Sequence, residues 1–279
     1  MSDREFSIQN IVLGSHLWLG LCAAMFTWGS FVLLQQPVSF IYLGFVFAGT
    51  MTIYSFHAAV NLNRNNRKSK NSDSLPSFMT GLMWAGCTAT VIFYLFLTRS
   101  YQVILLLPIG MAILYVFPVY HGKRLKDYPF IKIIAIVISW TTITFWIPVH
   151  SISHWWEELA YDYLFIDRLL FFFALAIPFD IRDIQFDKAN ALKTIPNTIG
   201  LDNSQYLALL SLFLAGGFLT MGIELLDVTP SVKIGLLAVY ILLGILIIRL
   251  KNLPEPRFYS WFIDGILFLY GLVILFLSK

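Results

Sequence analysis

Residues 178–200, PFDIRDIQFDKANALKTIPNTIG, carry three aspartates, Asp180, Asp183 and Asp187, at spacing i, i+3, i+7. On one α-helix those offsets stack the three carboxylates on a single face. Like charges on one face repel and need a counter-charge. A divalent cation such as Mg²⁺ is the simplest one, because it prefers carboxylate oxygens and bridges to phosphates. The stretch follows an apolar run, 164–177, in a chain that otherwise avoids charge.

The surrounding composition sets the class. The chain is 58% hydrophobic and 13% charged, with a mean hydropathy of +0.74. A soluble domain carries about a quarter charged residues. Long apolar runs recur from residue 11 onward, so an all-α polytopic membrane protein is expected, with no nucleic-acid partner. The polar N-terminus MSDREFSIQN is not followed by a small-residue cleavage site, so no cleavable signal peptide is expected. Cys22 and Cys87 both lie inside apolar runs and read as packing residues.

Nine spans are predicted, at about 11–35, 38–61, 77–98, 101–119, 130–149, 164–182, 205–225, 231–250 and 258–278, in one domain covering 1–279. If the N-terminus is cytoplasmic, 15 of the 19 Lys and Arg residues fall on the inner side, leaving Arg99, Arg168, Lys233 and Lys279 outside. The positive-inside rule then selects an inner N-terminus and an outer C-terminus, in a bacterial inner (cytoplasmic) membrane. This puts the aspartate stretch at the cytoplasmic end of span six. The Asn-rich basic run 61–74, which ends span two, falls on the same side.

The pattern D-x-x-D-x-x-x-D, followed by Lys193-Thr194-x-Pro196 and Gly200, resembles the second aspartate-rich motif of the UbiA family of intramembrane prenyltransferases. Tyr120-His121-Gly122-Lys123-Arg124, then Pro129 and Ser139-Trp140, is similar to that family's loop between spans four and five. The resemblance covers nearly the whole chain. It implies nine helices around a central cavity roofed on the cytoplasmic side. It also implies Mg²⁺ held by aspartate-rich motifs on spans two and six, a polyprenyl diphosphate donor, and a lipophilic acceptor. Ionising an allylic C–O bond needs the diphosphate's developing charge neutralised and a dry, aromatic-lined cavity for the cation. At 16% aromatic, with 25 Phe, the composition suits such a cavity.

The family's first motif, N-D-x-x-D-x-x-x-D, is altered here. Asn61, Leu62, Asn65 and Ser69 occupy its positions, and Asp73 lies too far along to substitute. The Asn remains, all three aspartates are absent, and Arg64, Arg67, Lys68 and Lys70 surround the site.

Two functions follow. One is a prenyltransferase with Asp180, Asp183 and Asp187 as catalytic, Mg²⁺-holding carboxylates. Asn61, Arg64, Arg67, Lys123, Arg124 and Lys193 then bind the substrate, with arginine gripping phosphate bidentately. The other is a degenerate relative that binds an isoprenoid, a membrane lipid or a partner without chemistry. His57 is four residues before Asn61, and Asp264 is an acid within the last span with no assigned role. Paired broken helices of the transporter kind are not evident.

The topology has a direct check. A phosphatase fused after Thr229 is expected to be active outside the cell, and one fused after Lys188 inactive; the reverse pattern contradicts the assigned orientation.

Overall fold

A computed structural model describes residues 13–14, 16–69, 77–117, 124–125, 128, 130–189, 192–252 and 254–278, with the side chains of 63–69 outside the description. The described residues form helices and no strands. These are α1 (Leu17–Leu33), α2 (Phe40–Ser69), α3 (Ser77–Phe96), α4 (Arg99–Val116), α5 (Ile131–His150) and α6 (Leu159–Arg182). Two short helices follow, α7 (Ile184–Ala189) and α8 (Ile195–Ile199), then α9 (Leu201–Leu225), α10 (Pro230–Arg249) and α11 (Pro256–Leu277).

Seven helices among the described residues are long and apolar enough to cross a membrane, against the nine expected. Of the other two expected spans, α1 is apolar but has only 17 residues. α6 has 24 residues but carries Asp162, Asp167, Arg168, Asp180 and Arg182. Large apolar side chains face outward along the apolar helices, including Phe213, Ile234 and Ile241, each at least 65% exposed. Apolar exposure on this scale fits a lipid-facing surface. Two boundaries differ from expectation. α2 continues as helix to Ser69, through the Asn-rich run expected to end the span. α6 begins at Leu159, not 164.

By its contacts the chain divides into two compact units, Met1–Ala24 with Ser39–Gln102, and Met25–Val38 with Val103–Lys279. In the first, α2 packs on α3. Phe56 meets Trp84 edge-on at 5.6 Å, and the Thr52 and Thr90 hydroxyls are 3.4 Å apart. The turn into α4 is tied by Gln102 Nε2 donating to the Tyr94 carbonyl at 2.9 Å.

In the second unit α6 runs through the core, with 14 of its 24 residues buried. Gly222 on α9 allows close approach, because a Cβ there would stand 2.7 Å from Leu164 and 3.1 Å from the Ala160 carbonyl of α6. Gly271 on α11 does the same against α1, where a Cβ would overlap the Met25 main chain. Small residues at such crossings let membrane helices gain van der Waals contact that apolar side chains alone cannot give them in lipid.

Mid-helix, α6 buries two adjacent charges. Asp167 Oδ1 accepts a hydrogen bond from the Tyr240 hydroxyl at 2.5 Å, and Arg168 Nη2 donates to the Tyr270 hydroxyl at 2.8 Å. The Arg168 guanidinium also lies over the rings of Phe26 and Tyr270, at 4.5 and 4.7 Å. Arg168 was expected on the outer side. It is 2% exposed inside the unit, because tyrosines on α10 and α11 supply the partners that lipid cannot.

Two helices contain π turns that handle local conflicts. Pro148 has no N–H, and just before it α5 widens over Thr142–Trp146, with the Ile147 N–H reaching back to the Thr142 carbonyl. α11 widens over Tyr259–Ile263, with the Asp264 N–H on the Tyr259 carbonyl at 3.1 Å.

Gly271→Leu is expected to destabilise by about 1–3 kcal/mol through overpacking. Arg168→Met, which removes the guanidinium's bond to the buried Tyr270 hydroxyl, is expected to cost about 1–3 kcal/mol. Thermal unfolding in detergent reads both, and an unchanged Tm for either contradicts the packing described.

Candidate functional site

The C-terminal end of α6 begins at Pro178, which removes one intrahelical hydrogen bond just before Asp180. The helix ends at Arg182, and Asp183 sits at the cap with φ −90° and ψ 5°. The chain resumes at once as α7, because the Asp183 N–H bonds Phe179 O at 3.1 Å and the Asp187 N–H bonds Asp183 O at 2.9 Å. The assigned helix is interrupted by one residue at Asp183, with helical i→i−4 bonds on both sides of it. Asp180 and Asp187 are both 3% exposed, while Asp183 is half-buried.

The polar tail of the motif has a structural logic of its own. Thr194 is the extended residue before α8, and Pro196 lies in that helix's first turn, where its missing N–H costs nothing. Gly200, at φ 86°, ends α8 and starts α9, a backbone conformation that L side chains rarely adopt. The Ser204 hydroxyl then donates to the Gly200 carbonyl at 2.7 Å. This turn brings Lys193 and Thr194 into a small recess that is also lined by Tyr128, Lys132, Asp180 and Ile195.

Two of the three carboxylates have cationic side chains as partners. Lys132 Nζ, on α5, stands 2.6 Å from Asp180 Oδ1, with the two side chains 15% and 4% exposed. Arg182 grips Asp183 with two nitrogens, Nε to Oδ1 at 2.8 Å and Nη2 to Oδ2 at 3.1 Å. The Arg182 guanidinium also lies 5.2 Å from the Phe179 ring and 5.9 Å from the Tyr259 ring of the α11 π turn.

This donor set does not suit a divalent cation as it stands. Mg²⁺ wants near-octahedral oxygen ligands at about 2.0–2.1 Å. Asp180 and Asp183 instead face an ammonium and a guanidinium, and among the described residues no group of three or more acids, histidines or cysteines is arranged to hold a metal ion.

The remaining expected residues fall as follows. Arg124 is buried at 5% exposure, and Lys193 is exposed at the recess. Asn61 is half-buried on α2, its Nδ2 3.2 Å from His57 Nε2, so the expected shared face of His57 and Asn61 is present. Arg64 and Arg67 lie on α2 with side chains outside the described residues, and Lys123 is likewise outside them. Asp264, at 8% exposure, follows the α11 π turn and is within electrostatic reach of Arg182.

Sequence reasoning missed Lys132 as a site residue, treating it as one more inner-side charge. The available signal was a lone lysine opening an apolar helix three residues after a proline. It also missed Asp167 and Arg168, whose signal was two adjacent charges inside an apolar run.

The fold and site thus define an all-α, membrane-type protein with carboxylates and cations gathered at one end of a buried helix. No protein-family model and no curated protein matches the sequence. Solved structures do match. A UbiA homologue from Aeropyrum pernix K1 is similar at TM-score 0.68 and 16% identity, over 92% of this chain and 97% of that one. A structure of digeranylgeranylglyceryl phosphate synthase in membranes is similar at TM-score 0.59 and 17% identity, over 95% and 99%. A UbiA homologue from Archaeoglobus fulgidus bound to GPP and Mg²⁺ is similar at TM-score 0.58 and 12% identity, over 96% and 98%. The chain has the fold of UbiA prenyltransferase homologues.

The Lys132–Asp180 pair is open to a double-mutant cycle. Lys132→Met and Asp180→Asn are each expected to lower stability by about 3–5 kcal/mol by stranding a buried charge. The double variant is expected to recover part of the loss. Strictly additive losses contradict the pairing.

Proposed function

We propose that this chain is a UbiA-family intramembrane prenyltransferase that moves a polyprenyl group from its diphosphate to a lipophilic acceptor. The observation that carries the reading is the shared fold over more than nine-tenths of the chain, with a neighbour bound to GPP. The recess of Lys132, Asp180, Lys193 and Thr194 supports it, because it gathers cations at the helix end that carries the D-x-x-D-x-x-x-D spacing. The reading includes one transmembrane domain over 1–279, a bacterial inner membrane, and an N-terminus inside with the C-terminus outside.

In this reading the diphosphate head lies at the cytoplasmic end of α6. Lys193 and Arg124 contact its oxygens, and the sequence alone assigns Asn61, Arg64, Arg67 and Lys123 to substrate binding. The allylic C–O bond breaks, its electron pair leaves with the diphosphate, and cationic side chains neutralise the charge that develops. The allylic cation is then captured by a nucleophilic atom of the acceptor, which loses a proton as the new bond forms. The buried Phe171 and Phe172 rings and the half-buried Trp140 offer π faces to a cation within the second unit. Asp180, Asp183 and Asp187 orient these cations, and no step is assigned to Mg²⁺.

A second reading is a binding protein without chemistry. It is favoured by the ion pairing of Asp180 and Asp183 and by the loss of all three first-motif aspartates. Purified protein in lipid nanodiscs should bind radiolabelled geranylgeranyl diphosphate saturably, and Lys193→Ala should weaken binding about 10- to 100-fold, the scale of one charge-assisted contact. Absence of saturable binding under any ionic condition contradicts both readings as isoprenoid diphosphate sites. Binding without release of diphosphate, when lipophilic acceptors extracted from the host membrane are added, favours the second.

A further inference from the structure

We propose that Lys132 is a built-in counter-ion that occupies the place of a metal at Asp180, so that the site holds a prenyl diphosphate through ammonium and guanidinium groups and without Mg²⁺. This deepens the reading above and rests on it. Four observations carry it.

The first is contact. The Lys132 ammonium is 2.6 Å from Asp180 Oδ1, on the innermost of the motif's carboxylates along α6. A metal ion bound to that oxygen and this ammonium cannot both keep their positions.

The second is burial. The side chains of Lys132 and Asp180 are 15% and 4% exposed, so a metal that displaced Lys132 would leave a nearly buried ammonium without its carboxylate. The competition is between a metal from solution and a cation tethered to the same fold, and the tethered one needs no recruitment.

The third is repetition at the next carboxylate. Asp183 is held by two nitrogens of Arg182, and that guanidinium is fixed against the rings of Phe179 and Tyr259. Two successive carboxylates of the motif thus carry protein cations, and no metal-holding group of acids exists among the described residues.

The fourth is in the sequence. The first-motif positions 62, 65 and 69 hold Leu, Asn and Ser, with Arg64, Arg67 and Lys68 interspersed. The first half of the motif pair thus lacks its acids and carries cations, while the second keeps three aspartates and pairs two of them with protein cations. The Lys132 ammonium has three donors, so one can stay on Asp180 while another reaches a phosphate oxygen. The same recess is lined by Lys193, which supplies a second ammonium.

The test compares geranylgeranyl diphosphate binding in EDTA and in millimolar Mg²⁺, with protein in nanodiscs. For the wild type the two affinities are expected to agree within about threefold. Lys132→Arg, which keeps the charge, is expected to stay indifferent to metal. Lys132→Met is expected to lose at least about tenfold in EDTA and to regain part of it with Mg²⁺, because Asp180 is released to act as a ligand. The Lys132→Met/Asp180→Asn double variant controls for folding, since it removes the stranded charge, and it is expected to bind weakly in both conditions.

A wild-type affinity that falls tenfold or more in EDTA overturns the inference while leaving the proposed function standing. Folded Lys132→Met that binds like wild type in EDTA also overturns it. Absence of binding in both conditions overturns the function itself.

Discussion

The contact on which this site depends is the ion pair between Lys132 and Asp180. A carboxylate buried among apolar helices must have its charge met locally, because that surrounding offers neither water nor counter-ions. Mg²⁺ is one way to do this, and a tethered ammonium is another. The two differ in consequence. A metal arrives and leaves with substrate and demands several oxygens in fixed geometry. A lysine is present from folding onward, demands only one carboxylate, and leaves donors to spare for a phosphate. With Lys132 in place at 2.6 Å, Asp180 serves to hold a cation at the recess.

The rest of α6 obeys the same constraint at a distance. Asp167 and Arg168 lie about 20 Å along the helix from Asp180, at about 1.5 Å per residue. Tyr240 bonds one Asp167 oxygen, Tyr270 one Arg168 nitrogen, and the Phe26 ring lies against the guanidinium, while Asp167 Oδ2 and Arg168 Nε and Nη1 make no hydrogen bond. These bonds tie α6 to α10, α11 and α1 within one unit, and close approach at Gly222 and Gly271 adds packing to them. A helix carrying five charged side chains is unsuited to lipid by itself, and here polar or ionic partners meet Asp167, Arg168, Asp180 and Arg182. The functional end inherits that rigidity: its last turn, broken by Pro178 and ended at Asp183, emerges from a helix fixed along its length.

How much of this was legible in the sequence follows from which signals are local. Apolar runs showed the all-α membrane class, and the D-x-x-D-x-x-x-D spacing with Lys193, Thr194, Pro196 and Gly200 pointed to the fold that the structural neighbours share. The tail's spacing is now explained by the first turn of α8 and by the positive φ of Gly200. Helix spacing could not show that α6 would end at Arg182 and divide the carboxylates between two helices, since that depends on a cap conformation. Nor could a positional count of charges tell a topology signal from a site residue. Lys132 and Arg168 were both counted by side of the membrane, and both turn inward to partners more than 30 residues away in the chain. Long-range pairing of this kind leaves no trace in local spacing.

On this proposal a protein cation, not a metal, meets Asp180 when substrate is bound. An experimental structure of the protein in nanodiscs with geranylgeranyl diphosphate and excess Mn²⁺ in place of Mg²⁺ tests this most directly, since Mn²⁺ is identified by its scattering. The account expects Lys132 Nζ to remain within hydrogen-bonding distance of Asp180, with no Mn²⁺ on that carboxylate. Mn²⁺ coordinated by Asp180, with Lys132 swung away, would contradict it.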